Sequence, residues 1–295
     1  MLTMVLDIGG TAIKSGLYND GKLSEVKETP TDAQLGGAHV VESAVKLIED
    51  YRKISSFKRI GISTAGQVDS AAGRIIYANE NIPGYTGTAL KDIMERKFGI
   101  PTAVENDVNA AAIGEAVFGA GKGVADFVCL TYGTGVGGAI FANGKLYCGS
   151  SCSAGEFGGI VTHPEERDIK EGMFSGCYEK YASATALVGR ARQLDPALSD
   201  GRAVFSQQER PEVKEIIDGW IMEIIYGLIT VVCMLNPSCI VLGGGVMEQP
   251  YVIKQIREKL HQHIMTSFSH VKIEKARLGN QAGMLGAAML DFREE

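Results

Sequence analysis

Two stretches of this sequence share one pattern: an apolar strand, a turn of glycine and threonine, and a second extended segment. The first turn is Asp7-Ile8-Gly9-Gly10-Thr11, and the second, near the middle of the chain, is Gly133-Thr134-Gly135-Val136-Gly137-Gly138. Extended segments on both sides of a glycine turn predict a β-hairpin. Two such hairpins, with helical segments between them, predict a duplicated α/β core.

Helices are predicted where apolar residues recur at helical spacing. The predicted helices are Val40–Tyr51, Leu90–Phe98, Val108–Phe118, Val213–Leu235 and Leu285–Phe292. Further strands are predicted at Arg59–Ser63, Thr102–Glu105 and Ile240–Leu242. The chain of 295 residues is long enough for two modest domains.

The composition limits what the protein binds. A formal net charge of −6 leaves no basic excess to replace the counterions of a nucleic acid, so nucleic acid is not expected as a partner. Six cysteines without CxxC spacing are typical of buried free thiols rather than of a disulfide framework. The longest apolar run, Ile224–Leu235, is shorter than the roughly 20 residues that span a bilayer. We expect a cytoplasmic protein without a membrane partner, whose ligand is a small molecule.

The two glycine turns have the chemistry of phosphate-binding loops. Gly9 and Gly10 would let backbone N–H groups approach a phosphate closely, and Thr11 adds a hydroxyl donor. Asp7, at the end of a strand, could hold Mg²⁺ through its water shell. The alternative is a plain hairpin turn whose glycines supply positive φ. Neither turn matches GxxxxGK[ST], and both lead into strands, which excludes a P-loop and argues against a dinucleotide fingerprint.

Acidic and amide side chains supply the candidates for proton transfer and sugar binding. Asn106 and Asp107 lie between a strand and a helix, and either could cap that helix. Asp107 could also act as general base for a hydroxyl that receives a phosphoryl group, while Asn106 fixes a neighbouring hydroxyl. Glu156 directly follows Gly155, and Glu179 lies three residues after Gly176; their oxygens could accept hydrogen bonds from sugar hydroxyls. Solvated surface carboxylates fit the same pattern.

A third glycine turn, Gly243-Gly244-Gly245, follows a buried strand. It would let a flat adenine approach the backbone, or it makes a tight connection from strand to helix. The residues alone leave both interpretations open.

Taken together and in order, the motifs resemble those of the ROK family of sugar kinases, members of the actin/hexokinase-like ATPase superfamily. The resemblance covers nearly the whole chain. It rests on the first two glycine turns, Ala65-Gly66 with Val68-Asp69, Glu105 to Ala111, Gly155-Glu156-Phe157-Gly158, Gly176-Cys177-Tyr178-Glu179 and Leu242 to Gly245. It implies an α/β fold of two actin/hexokinase-like (ribonuclease H-like) domains flanking an active-site cleft. The implied N-terminal domain contains residues 1–107 and about 280–295, and the implied C-terminal domain contains residues 108–279. The resemblance also implies a homodimer, the usual oligomeric state of the family.

The resemblance also implies an activity and the residues that carry it. The γ-phosphoryl group of ATP would pass, with Mg²⁺, to the C6 hydroxyl of a sugar, and Asp107 would be the general base. The implied sugar-binding residues are Gly66, Asn106, Asp107, Glu156 and Glu179. The residues implied for ATP and its phosphates are Asp7, Ile8, Gly9, Gly10, Thr11, Lys14, Gly133, Thr134, Gly135, Gly243, Gly244 and Gly245.

The sequence departs from the family pattern at a zinc site. The family has a histidine after Glu-x-Gly and a CxCGxxGC segment, which together bind structural zinc. Here Gly159, Lys170 and Gly172 replace the histidine and the first two cysteines, and only Cys177 remains. We therefore predict no zinc site.

The absence of that histidine also affects which sugar we predict as the acceptor. The resemblance puts the histidine beside the C1–C2 edge of the sugar, so glycine at this position predicts room for a substituent on C1. A β-glucoside such as cellobiose is the expected acceptor. N-acetylmannosamine or glucose is the alternative, and a non-catalytic sugar-sensing protein is a further one.

Overall fold

The structure is a computed structural model that describes residues 1–292. Its contacts divide the chain into two compact units. The first contains Met1–Lys122, Cys148–Ala154 and the segment from Leu278 onward, and the second contains Gly123–Tyr147 and Gly155–Arg277.

The first unit is built on a five-stranded sheet in the order β3-β2-β1-β4-β7. Its strands are β1 (Thr3–Ile8), β2 (Ala12–Asn19), β3 (Lys22–Pro30), β4 (Arg59–Thr64) and β7 (Thr102–Asn106). The first three strands pair antiparallel, and β4 and β7 then continue the sheet in parallel. A separate two-stranded hairpin consists of β5 (Gln67–Asp69) and β6 (Arg74–Tyr77).

Four α-helices complete the described part of the first unit. They are α1 (Gly37–Ile54), α2 (Leu90–Phe98), α3 (Asp107–Phe118) and α9 (Ala282–Ala287). The apolar residues of α1 lie on one face and are buried against the sheet, together with those of α2. All six residues of α9 are buried, because this short helix packs on α3, β1 and β4.

The second unit repeats this plan with the sheet order β10-β9-β8-β11-β12. Its strands are β8 (Phe127–Tyr132), β9 (Val136–Ala142), β10 (Lys145–Tyr147), β11 (Cys239–Gly243) and β12 (Lys272–Lys275). Again three antiparallel strands are followed by two parallel ones. The predicted duplication of an α/β core is therefore confirmed.

The helices of the second unit surround a long central one. They are α4 (Tyr178–Ala182), α5 (Ala184–Leu194), α6 (Gly201–Ser206), α7 (Pro211–Leu235) and α8 (Pro250–His263). By length and composition alone, α7 could cross a membrane, and half of its most apolar window is buried inside this unit. Trp220 at its middle is fully buried and donates a hydrogen bond from Nε1 to the carbonyl oxygen of Ala182, at 2.9 Å.

The structure differs from two of the predicted bounds. The predicted N-terminal domain ends at residue 107, whereas the first unit also contains α3, because α3 packs closely on α9: a Cβ at Gly286 would overlap the carbonyl oxygen of Ala110. The predicted closing helix Leu285–Phe292 is instead the earlier and shorter α9, and the last residues of the predicted N-terminal domain, 293–295, lie outside the described residues.

Candidate active site

Asp7 lies near the end of β1, in register with Ser63 of β4 and, one strand further, with Glu105 of β7. Ser63 Oγ donates a hydrogen bond to Asp7 Oδ1 at 2.7 Å, and Lys14 Nζ lies 3.6 Å from Asp7 Oδ2. A Cβ at Gly283 of α9 would lie 2.6 Å from Oδ1, so glycine at this position leaves room for the carboxylate. Three strands and a helix therefore fix the half-buried carboxylate of Asp7.

The first glycine turn is held by Thr31, which the sequence analysis did not single out. Thr31 donates from Oγ1 to the carbonyl oxygen of Gly9 at 2.7 Å and from its N–H to that of Thr11 at 3.0 Å. Gly9 and Gly10 lack positive φ, although a Cβ at Gly9 would lie only 3.2 Å from the carbonyl oxygen of Ala12. A Cβ at Gly10 would meet no atom within 4 Å, so the exposed backbone of this turn is accessible to a ligand. The Ile8 side chain is buried in the core, so Ile8 can contribute to ligand binding only through its backbone.

Asn106 is the residue that caps α3. Its Oδ1 accepts hydrogen bonds from the N–H groups of Val108 and Asn109, each at 3.0 Å. Its Nδ2 donates to the carbonyl oxygen of Gly66 and to Asp107 Oδ1, each at 2.9 Å. The predicted cap is therefore Asn106 rather than Asp107, and three of the predicted sugar-binding residues, Gly66, Asn106 and Asp107, are joined by hydrogen bonds.

Asp107 lies in the first turn of α3, and its pKa is raised. Burial and the nearby negative charge of Asp7 raise the pKa of Asp107 to about 6, although hydrogen bonds from the Val108 N–H and the Asn106 side chain oppose this shift. Both of these hydrogen bonds are accepted by Oδ1. A carboxylate with a pKa near neutrality can accept a proton and release it again, as a general base requires.

Glu105 supports this pair from the buried side. Its Oε1 accepts hydrogen bonds from the Asn106 N–H at 2.7 Å and from Asn109 Nδ2 at 3.0 Å, and its Oε2 accepts one from Ser70 Oγ at 2.5 Å. Glu105 is only 3% exposed, so it is a positioning residue for the strand-to-helix junction rather than a group that ligands reach.

In the second unit, Glu179 lies against the second glycine turn. Glu179 Oε2 accepts a hydrogen bond from the Val136 N–H at 2.9 Å. Gly133 and Thr134, at the tip of the turn, are exposed, and neither Gly133 nor Gly135 has positive φ. The space at Gly133 is open within 4 Å, as it is at Gly10, so each predicted phosphate turn has one glycine with open space beside it.

Glu156 and Gly159 stand at the two ends of one short loop of the second unit. Glu156 is exposed and precedes a single 3₁₀ turn, Phe157–Gly159. A Cβ at Gly158 would lie 3.2 Å from Glu179 Oε2, so this loop packs beside the predicted sugar-binding Glu179. A Cβ at Gly159 would meet only Phe174 Cε1, at 3.9 Å; the place of the family histidine is therefore open.

The third glycine turn makes a tight connection after β11. Gly244 has a φ of 103°, and a Cβ there would overlap the carbonyl oxygen of Tyr132, so this residue makes the tight connection that the sequence allowed. A Cβ at Gly245 would meet no atom within 4 Å, so the interpretation as an adenine-binding turn stays a prediction. A 3₁₀ turn and α8 follow.

Arg167 organises the loop that carries zinc ligands in the family pattern. Its Nη1 donates to the carbonyl oxygens of Met173 and Ser175, at 3.2 and 2.7 Å, and to Cys177 Sγ at 3.0 Å. Within residues 1–292, no group of three or more His, Cys, Asp or Glu side chains is placed to hold a metal ion. The guanidinium thus makes the contacts that tie this loop together.

Each unit contains a part of the predicted site residues. The first unit joins Asp7, the first glycine turn, Gly66, Asn106 and Asp107. The second unit joins the second glycine turn with Glu179 and the loop of Glu156, and β11 of the same sheet leads into the third turn. Ser63, Thr31 and the supporting contacts of Glu105 were not predicted from the sequence.

Comparison with known proteins shows the family of the chain. The model of the ROK family matches residues 3–294. The chain belongs to the ROK family. An uncharacterized protein of Clostridium perfringens is 39% identical over 99% of this chain and 98% of its own length. A β-glucoside kinase of Listeria innocua is 32% identical over 100% of this chain and 99% of its own.

The solved structures of the ROK family agree with the fold. A ROK glucokinase from Streptomyces griseus, in complex with glucose and AMPPNP, superposes with a TM-score of 0.84 at 29% identity, covering 98% of each chain. With two actin/hexokinase-like sheets and relatives that are sugar kinases, this ROK protein is a carbohydrate kinase.

Proposed function

We propose that the protein transfers the γ-phosphoryl group of ATP to the C6 hydroxyl of a sugar, with Asp107 as the general base. The observation that carries this proposal is the carboxylate of Asp107, which has a pKa of about 6 and is held by the capping residue Asn106 beside Gly66. A solvent-exposed surface carboxylate would have neither the raised pKa nor this support.

The chain's own groups account for the proton and the orientation of the acceptor. Asp107 takes the proton of the C6 hydroxyl as that oxygen bonds to the γ-phosphorus, and the bond from the γ-phosphorus to the bridging oxygen breaks to release ADP. Asn106 keeps Asp107 Oδ1 in place through the 2.9 Å hydrogen bond. The open turns at Gly10 and Gly133 supply backbone donors for the phosphates.

Asp7 is the group that fits Mg²⁺. Its half-buried carboxylate is fixed by Ser63 and Lys14, and one carboxylate is enough, because Mg²⁺ keeps several waters and binds substrate phosphates as well. When bound, Mg²⁺ neutralises charge on the transferring phosphoryl group.

We further propose that the acceptor is a β-glucoside such as cellobiose. The open space at Gly159 supports this, because a histidine side chain there would occupy the region beside C1 that the family resemblance implies. A relative 32% identical to this chain is a β-glucoside kinase. Glucose is the second candidate, since the structural neighbour from Streptomyces griseus binds it, and N-acetylmannosamine is the third.

The test is Mg²⁺-dependent ADP release with cellobiose, glucose and N-acetylmannosamine at matched concentrations, with the Asp107→Asn variant as the blank. We expect the largest kcat/KM for cellobiose. A preference for either monosaccharide would support the kinase activity but contradict the proposal that the open space at Gly159 selects a β-glucoside. No release with any of the three would favour a sugar-binding protein without turnover.

The pH dependence follows from the raised pKa of Asp107. A general base works only when ionised, so kcat/KM should rise as the pH rises through about 6 and level off above it. In the Mg²⁺-free protein, Asp7→Asn removes a negative charge that raises the pKa of Asp107, so this pKa, followed by NMR of the Asp107 carboxyl carbon, should be lower in the variant than in the parent. An equal pKa in both proteins would contradict the proposed interaction of the two carboxylates.

A further inference from the structure

The carboxylate of Glu179 is enclosed by the second glycine turn and the loop of Glu156. A Cβ at Gly135 would overlap Glu179 Oε2 and lie 2.8 Å from Cδ, and one at Gly158 would lie 3.2 Å from Oε2. At Gly135 the three nearest atoms all belong to this carboxylate, and φ is not positive. Glycine at 135 is thus explained by the room that the Glu179 carboxylate needs.

Two hydrogen bonds connect the turn to the segment that carries Glu179. The Val136 N–H donates to Glu179 Oε2 at 2.9 Å. The N–H of Ala184, just after α4, donates to the carbonyl oxygen of Gly133 at 3.0 Å. The turn is therefore held at both of its ends by the same short stretch of chain.

The segment itself is anchored in the core, so the backbone that carries Glu179 is fixed. Tyr178, the residue before Glu179, is fully buried. Its hydroxyl donates to the carbonyl oxygen of Ile224 in α7 at 2.8 Å and lies 2.8 Å from the hydroxyl of Tyr132 in β8. When the Glu179 carboxylate moves, the exposed turn therefore moves with it, whereas the buried Tyr178 stays in place.

We propose that Glu179, besides binding sugar, positions the second phosphate turn and thereby couples the binding of sugar and nucleotide. The hydrogen bond to Val136 uses Oε2, which leaves Oε1 to accept from a sugar hydroxyl. A sugar that orders this carboxylate also orders the turn, and by reciprocity a nucleotide on the turn favours the sugar. This inference rests on the proposed function, because it takes the turn to bind phosphates.

The experiment measures the affinity for AMPPNP with Mg²⁺ by calorimetry, without and with cellobiose or glucose. Sugar should tighten AMPPNP binding in the parent and leave it unchanged in Glu179→Ala, whereas equal tightening in both proteins would overturn the coupling. Without the hydrogen bond from the Val136 N–H the turn adopts its phosphate-binding form less often, and a binding-competent fraction of about one tenth weakens the apparent affinity about 10-fold. Glu179→Ala should therefore weaken AMPPNP binding about 10-fold even without sugar. Glu179→Gln keeps an oxygen for the Val136 N–H and should restore most of the affinity. Glu171→Ala, an exposed glutamate of the same unit, is the matched control and should bind as the parent does.

A second variant separates positioning from a direct clash with the nucleotide. Gly135→Ala should displace the Glu179 carboxylate and weaken AMPPNP binding, but it should have little further effect in the Glu179→Ala background, because the two changes remove one interaction. Additive effects, or parental affinity in Glu179→Ala, would overturn the inference while leaving the kinase intact. Failure of the parent protein both to bind AMPPNP and to release ADP with any sugar would overturn the proposed function and the inference with it.

Discussion

Replacing Asp107 by asparagine is expected to lower kcat by about 10²–10⁴-fold, the usual contribution of general base catalysis. The asparagine keeps an oxygen for the hydrogen bonds that Asp107 Oδ1 accepts from Asn106 and from the Val108 N–H. The shape of the junction between β7 and α3 should therefore survive, and the KM for the sugar should change little. What the variant lacks is a group that can accept the proton of the C6 hydroxyl.

The control for this variant is Asp92→Asn, which makes the same chemical change at an exposed position in the first turn of α2. Its kcat should equal that of the parent. Steady-state kinetics of the three proteins at pH 7.5 to 8, about two units above the pKa of Asp107, keep the parent fully ionised. If Asp107→Asn retained more than about a tenth of the parental kcat, a factor below the range for a general base, another group would have to accept the proton.

The sequence predicted those parts of the site that depend on local chemistry. The glycine turns follow apolar strands, and the structure has both hairpins where they were expected. The predicted helix Leu90–Phe98 is confirmed at both ends. Its C-terminal end is set by Gly99, which adopts the left-handed conformation. The alternative of Asn106 or Asp107 as the helix cap needed the structure, because either side chain suits that position.

Contacts that depend on strand register could not be predicted. Ser63 reaches Asp7 because β4 pairs in parallel with β1, and Thr31 reaches Gly9 from the end of β3. The strand β3 itself was missed because most of its residues are exposed and polar, so it lacks the alternation that marks a half-buried strand. The short helix α9 was placed too late, because its buried residues are apolar on every side.

Two glycines of α7 should respond in opposite ways to alanine. A Cβ at Gly227 would overlap the ring of Tyr178, whereas a Cβ at Gly219 would meet no atom within 4 Å. Tyr178 cannot move easily, because its hydroxyl is hydrogen-bonded to the carbonyl oxygen of Ile224 and to the hydroxyl of Tyr132. Overpacking of this kind usually costs about 1–3 kcal/mol, so Gly227→Ala should be destabilising. Gly219→Ala should be stabilised by about 0.4–1 kcal/mol, because alanine reduces the freedom of the unfolded chain.

Thermal unfolding of the parent and the two variants, followed by circular dichroism, checks this pair. One kcal/mol corresponds to about 2–4 °C in Tm for a unit of this size, so Gly227→Ala should lower Tm by several degrees and Gly219→Ala should raise it slightly. Since Tyr178 precedes Glu179, Gly227→Ala should also weaken AMPPNP binding, and Gly219→Ala should not. Equal shifts of Tm in both variants would mean that α7 does not pack on Tyr178 as the structure describes.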